Sequence, residues 1–268
     1  MAPIERPLQH PDRKLAGFQP LKAMRHFRNL VADKEDTEQV FHIIEALKGR
    51  RSAKQAADFV QSDEGRALLA DDRDLPTMLD QHENWSECLE DSVAKNYMRF
   101  MKREGLTAAG LMAESYQWLP KEDRPEDLYE WYFERLRDTH DLFHVLTGYG
   151  RDALGELSLL GFSYAQNHNP GIIFIAYAGA REQKKHSGTS APIFAAVREG
   201  QRLGKAAAKL AHQDVEKLMH EPLEAARERL NIGEPKIYRE CLRIFEEEGL
   251  WIQDPSNTPG KDVGCCAA

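Results

Sequence analysis

From about residue 36 to residue 248 the apolar side chains recur at helical spacing, and alternation with a period of two is almost absent. Val40, Ile43, Ile44 and Leu47 mark one stripe; Val93, Tyr97, Phe100 and Met101 mark another. Stripes of this kind are buried by packing helix on helix, so the chain is expected to be all-α. Ile172-Ile173-Phe174-Ile175 is the sole candidate strand, and its helical neighbours favour helix there too. Local signals divide the pattern. Ser52-Ala53-Lys54-Gln55 reads as a capping box, and Ser62-Asp63-Glu64 starts a short helix before an acidic turn at Asp71–Asp74. A helix from Glu90 to Glu104 stops at Gly105, and Thr107 caps the next, to Trp118. Asp127 through Val145 is again helical. Further on, the pattern predicts a polar loop at Arg181–Ser190, one long helix over Pro192–Met219, and helices over Pro222–Leu230 and Pro235–Glu248.

Four prolines within residues 1–20 predict an extended N-terminal arm, taken as residues 1–30. Residues 31–250 are then one multi-helix domain, and residues 251–268 a flexible tail. Of the 268 residues, 41% are hydrophobic and 30% charged, the balance of a globular protein. The net charge is −8 and no basic stripe is present, which argues against nucleic acid as a partner. The longest nearly apolar run, Gly171–Ala180, is half of what a bilayer crossing needs. Four cysteines, none in a C-x-x-C pair, predict neither a disulfide framework nor a thiolate zinc site. The first thirty residues carry no secretory signal, so the expected location is the bacterial cytoplasm.

The chemistry concentrates in one segment. His140 and His144 are four residues apart, hence about 40° apart on one helix face and one turn along it. Two imidazoles at that spacing can close on one metal ion. Asp141 lies on the flank of His140, able to ligate or to orient an imidazole. Glu156 is the test. On one straight helix it would stand roughly 18 Å from His144, far beyond ligand bonds of about 2 Å. It reaches the site only if the chain turns back, and Gly148 and Gly150 stand where that break is needed, with Asp152 placed to cap the returning helix. Leu142, Phe143, Val145 and Leu146 make this helix largely core, so its ionisable groups need partners there. A nitrogen and oxygen donor set without cysteine suits Zn²⁺, Fe²⁺ or Mn²⁺. Arg151, beside the turn, is a candidate to pair with an anionic group, against an ordinary surface ion pair, and Tyr149 is a weaker candidate proton donor.

The signature His140-Asp141-x-x-His144-x11-Glu156 resembles that of the coenzyme Q (ubiquinone) biosynthesis protein family Coq4. The likeness takes in Asp91–Met101, Val145–Gly150, Leu159–Gln166 and Glu221–Arg227, and so roughly residues 35–240. Where the family pattern has Gly-Ser-Leu-Gly before a tyrosine, this chain has Asp91-Ser92-Val93-Ala94. The resemblance implies an all-α protein peripheral to the membrane that holds ubiquinone: the bacterial inner membrane, or the matrix side of the mitochondrial inner membrane. It also implies a divalent ion, usually zinc, on His140, Asp141, His144 and Glu156, and work on a polyprenylated 4-hydroxybenzoate. Two activities follow from it. One is removal of the ring carboxylate at C1, in an oxidative form with hydroxylation at that carbon. The other is a non-catalytic scaffold that presents the lipid and organises the other ubiquinone-making enzymes.

Phe162, Tyr164, Ile172, Ile173, Phe174, Ile175 and Tyr177 are candidates to line a slot for the isoprenoid tail, against a plain core role. Lys22, Arg25 and Arg28, and the later set Arg198, Arg202, Lys205 and Lys209, are candidate membrane-facing bases, against a plain solvated charged face for each. A homodimer is expected. A remote alternative from His140-Asp141 is an HD-type phosphohydrolase, which would draw on His42, His82 or His168.

Overall fold

A computed structural model of the protein describes residues 6–13, 17–32, 38–71 and 73–250. Among the described residues the regular structure is helical, with one isolated antiparallel bridge between Ser92 and Pro222. The helices run α1 (Pro20–Ala32), α2 (Glu38–Ala46), α3 (Arg50–Val60), α4 (Asp63–Asp71), α5 (Leu75–Asp80), α6 (Val93–Glu104) and α7 (Ala108–Trp118). They continue with α8 (Leu128–Asp138), α9 (His140–Thr147), α10 (Ala153–Asn167), α11 (Pro170–Ser187) and α12 (Ile193–Ala206). Three more close the fold: α13 (Val215–His220), α14 (Leu223–Arg229) and α15 (Lys236–Glu247).

The all-α expectation holds, and Ile172–Ile175 lies within α11. Helix α10 is the central element. It packs on α11 and α12 and buries Leu154, Leu159, Leu160 and Phe162. Each such side chain contributes roughly 1.5–3 kcal/mol. Where α10 meets α12, a Cβ at Gly200 would stand 2.2 Å from the Ser158 carbonyl oxygen, so the two backbones touch directly. A smaller cluster, with Phe59 and Tyr132 at its centre, joins α3 to α8.

Several expectations are corrected. The arm is shorter than residues 1–30, because α1 starts at Pro20 and buries Ala23, Phe27 and Leu30. The preceding segment is anchored: Arg13 pairs with Asp127 at the start of α8 through Nε at 2.6 Å and Nη2 at 2.7 Å. Helix α3 starts at Arg50, so Ser52 lies inside it, its hydroxyl bonded to the Gly49 carbonyl. The polar stretch Arg181–Ser187 continues α11, because Lys and Glu are good helix formers on an outer face. The long helix over Pro192–Met219 breaks after Ala206. Gln166 of α10 takes the Gly204 carbonyl at 2.6 Å and accepts the Leu210 N–H at 2.9 Å, which ends α12. Asp127–Val145 divides at Thr139 into α8 and α9. Helix α5, capped by Asp74, had no forecast. The tail expected over 251–268 lies outside the described residues.

Candidate metal centre

Helix α9 is only eight residues long, and all eight are buried. An isolated helix that short is unstable in water, so its ends need help from elsewhere. At its start the Thr139 hydroxyl bonds back to the Arg135 carbonyl at 2.8 Å, finishing α8. At its end Gly148 takes a left-handed φ of +77°, the conformation glycine reaches without strain. Arg227 of α14 closes the last turn, donating to the Leu146 carbonyl at 2.8 Å and the Val145 carbonyl at 3.0 Å.

The chain then reverses as the spacing of Glu156 demanded. Asp152 caps α10, its Oδ1 accepting the N–H groups of Leu154 at 3.1 Å and Gly155 at 3.0 Å. One turn further, Glu156 faces back onto α9. Its carboxylate lies 3.4 Å from His144 Nε2 and 3.8 Å from His140 Nε2. His140, Asp141 and His144 each offer a ligand atom, all within 4.8 Å of one another, the one such group among the described residues. His144 Nδ1–H donates to the Tyr149 carbonyl at 3.0 Å, which leaves its Nε2 lone pair aimed into the cluster. His140 Nε2, His144 Nε2 and Asp141 Oδ1 are buried without a hydrogen bond of ordinary geometry. Unsatisfied polar atoms are costly in a core, and a cation held by these lone pairs removes the cost. The donor set fits a divalent ion.

A family model, coenzyme Q (ubiquinone) biosynthesis protein Coq4, matches residues 29–236. The chain belongs to this family. Two curated relatives are named ubiquinone biosynthesis protein coq4, mitochondrial. The Penicillium rubens protein is 24% identical over 189 residues, which is 69% of this chain and 62% of the relative. The Aspergillus fumigatus protein is 25% identical over 161 residues, 59% of this chain and 53% of the relative. The chain thus spans 53–62% of the length of these relatives. A solved Nostoc punctiforme chain, described as a ubiquinone biosynthesis protein, shares the fold with a TM-score of 0.59 at 20% identity, covering 81% of this chain and 100% of its own length.

Electrostatics in this Coq4-family site favour the ligand forms of His140 and Glu156 and, before an ion is bound, hold protons on His144 and Asp141. Burial lowers the His140 pKa to about 3, with His144 beside it adding to the effect, so the ring is neutral. Burial opposes a charged His144, yet Glu156, Asp141 and the Tyr149 carbonyl together raise its pKa. Glu156 is likewise held below its ordinary value, because both histidines and Arg151 outweigh its burial. Burial raises Asp141 to about 6.

Arg151 is buried, with Nε 3.8 Å from Glu156. Tyr149 meets the cluster through its carbonyl, while its buried ring lies edge-on to Tyr238 at 5.2 Å. Three neighbours went unnoticed in the sequence. Phe100 of α6 stacks on His144 at 5.4 Å. Tyr97 hides its hydroxyl without a hydrogen-bond partner, its pKa raised by burial and by Asp141. Glu114 of α7 is raised by burial and feels Arg151 and Asp141. Phe100 and Tyr97 were visible as an apolar stripe; Glu114 carried no signal. His42, His82 and His168 stand outside the metal-holding group.

A cavity of about 520 Å³ opens between α2, α7 and α8, and none of the cluster residues lines it. Of the side chains offered for an isoprenoid slot, Ile172 reaches this cavity; Phe162 and Ile175 are core, and Tyr164, Ile173, Phe174 and Tyr177 pack half-buried against that core. No helix of the described residues is long and apolar enough to cross a membrane.

Proposed function

We propose that this chain carries out metal-dependent C1 decarboxylation of a polyprenylated 4-hydroxybenzoate, such as 4-hydroxy-3-methoxy-5-polyprenylbenzoate, in ubiquinone biosynthesis. The observation that carries the reading is the set of buried, unsatisfied ligand atoms on α9 with Glu156 set opposite them. His140 and His144 would hold the ion through Nε2, with Asp141 and Glu156 supplying oxygens. A divalent ion there supplies Lewis acidity toward a phenolate or carboxylate oxygen. Zinc fits the donors, and Fe²⁺ or Mn²⁺ fits them too.

The protein's own groups do the rest. Arg151 presents a buried cation beside the cluster, suited to receive the substrate carboxylate. Phe100 and the core residues of α9 keep water away from the rings. In the non-oxidative reaction the C1–carboxylate bond breaks, its electron pair passes to the ring, and a proton replaces CO₂. The para hydroxyl makes this possible by feeding electrons toward C1, so that C1 takes the proton first and the resulting dienone then accepts the pair as CO₂ leaves and the phenol re-forms. The oxidative form consumes O₂ and water, leaves a hydroxyl at C1, and releases CO₂ and H₂O₂.

A membrane surface is the proposed place of work. Phe18, Leu21 and Met24 are 68%, 87% and 41% exposed at the start of α1. Lys22, Arg25 and Arg28 are interspersed with them, and α1 contains no acidic residue in a chain of net charge −8. That mixture suits contact with an anionic bilayer.

Single-turnover incubation of metal-defined protein with a polyprenyl hydroxybenzoate, under air and under argon, tests the reaction. CO₂ is expected with the ion bound and is absent after chelation. Absence of CO₂ in both atmospheres with the ion intact would transfer the assignment to the scaffold role.

A further inference from the structure

Tyr238 sits on the buried face of α15, just beyond residues 29–236 that the family model matches. It is 86 and 88 positions from the two residues its hydroxyl touches. That hydroxyl accepts the Gly150 N–H at 3.0 Å and donates to Asp152 Oδ2. Its ring also meets that of Tyr149 edge-on. One side chain therefore grips the loop between α9 and α10 at three points, Tyr149, Gly150 and Asp152.

Both halves of the metal centre depend on that loop. Tyr149 supplies the carbonyl that binds His144 Nδ1–H and so decides which ring nitrogen faces the cluster. Asp152 caps α10 and fixes the first turn, on which Glu156 sits. The support is itself supported. Glu199, buried on α12, accepts the Ile237 N–H at 2.7 Å and the Tyr238 N–H at 3.3 Å, which pins the start of α15.

We propose that Tyr238 is a positioning residue of the metal centre, holding the Tyr149–Asp152 loop so that His144 Nε2 and the Glu156 carboxylate converge. This rests on the reading of the cluster as a metal site. Removing the hydroxyl leaves the Gly150 N–H and an Asp152 oxygen without their partner and frees the loop to shift. Neither histidine is touched by the change.

The test compares full-length wild type with Tyr238→Phe. In metal-free protein with ¹⁵N-labelled histidine, long-range ¹H–¹⁵N spectra report the His144 tautomer. At a pH above the His144 titration, where the ring is neutral, the wild type is expected to show Nδ1–H alone, and the variant a mixture. In a Co²⁺ titration followed in the visible region, the variant is expected to bind about tenfold more weakly, with an altered band envelope, as outer-shell changes do. Asp152→Asn keeps an oxygen for the helix cap but loses the carboxylate that receives the Tyr238 proton; it moves both readouts the same way and serves if Tyr238→Phe does not fold. Unchanged tautomer and unchanged Co²⁺ spectra beside a lower melting temperature would overturn the proposal, leaving Tyr238 a packing residue. A wild type that takes no Co²⁺ sinks the metal reading instead, and the tautomer comparison still decides the role of Tyr238 in holding His144.

Discussion

Replacing His140 by leucine should make the metal-free protein more stable while it abolishes metal binding. His140 is buried, neutral, and has an Nε2 without a hydrogen bond. A polar group left in that condition costs about 1–3 kcal/mol. Leucine removes the cost, and its branched end gives back up to about 1 kcal/mol in strained packing. A net gain of about 1.5 kcal/mol remains at the middle of these ranges. For a chain of this size each kcal/mol moves the midpoint by about 2–4 °C, so His140→Leu should melt roughly 3–6 °C higher than wild type in chelator. With Zn²⁺ at a hundredfold excess over its Kd, the wild type should gain about 2.7 kcal/mol, and the variant nothing. Scanning calorimetry with and without the ion measures both shifts. A variant that melts lower than wild type in chelator would refute the account of the orphaned nitrogen. One that keeps the zinc-induced shift would refute the ligand assignment.

Asp127→Ala breaks a buried ion pair and a helix cap together and should cost about 3–5 kcal/mol in urea unfolding at pH 7. Asp127 is held below its ordinary pKa: its burial is outweighed by bonds from Arg13 and backbone N–H groups. Its contribution is therefore full above about pH 4 and fades as the pH falls through the lower folded value, so wild type and variant should converge only in acid. Gly200→Ala forces a methyl against the Ser158 carbonyl and should lower stability by about 1–3 kcal/mol, read as a fall in melting temperature. Phe18→Ser with Leu21→Ser should leave the melting temperature within about 1 °C and abolish flotation with anionic liposomes. Retained flotation would place the membrane contact elsewhere.

What the sequence made legible was written locally. Asp152 and Thr107 do cap the helices that follow them, and Gly105 does end α6, because each acts on backbone within four residues. The two histidines follow from helical spacing, and the approach of Glu156 follows from the glycines between them and the impossibility of a straight helix. What stayed hidden is long-range. Nothing near Ala206 announces a helix end; the cause is Gln166, some forty positions earlier. The split at Thr139 is equally silent, since the stripe of apolar residues runs through it. Arg227, Phe100, Glu114 and Tyr238 reach the site only through tertiary packing, where residue spacing carries no information.

The dependence of α9 on Arg227 has a consequence for biosynthesis of the chain itself. During translation the segment carrying both imidazoles leaves the ribosome about eighty residues before the arginine that closes its final turn. Until that arginine arrives, the segment is too short to hold its shape. On the proposed metal reading, capture of the ion becomes a late event of maturation, and a ribosome-bound chain stopped before residue 227 should release an ion that the finished protein retains.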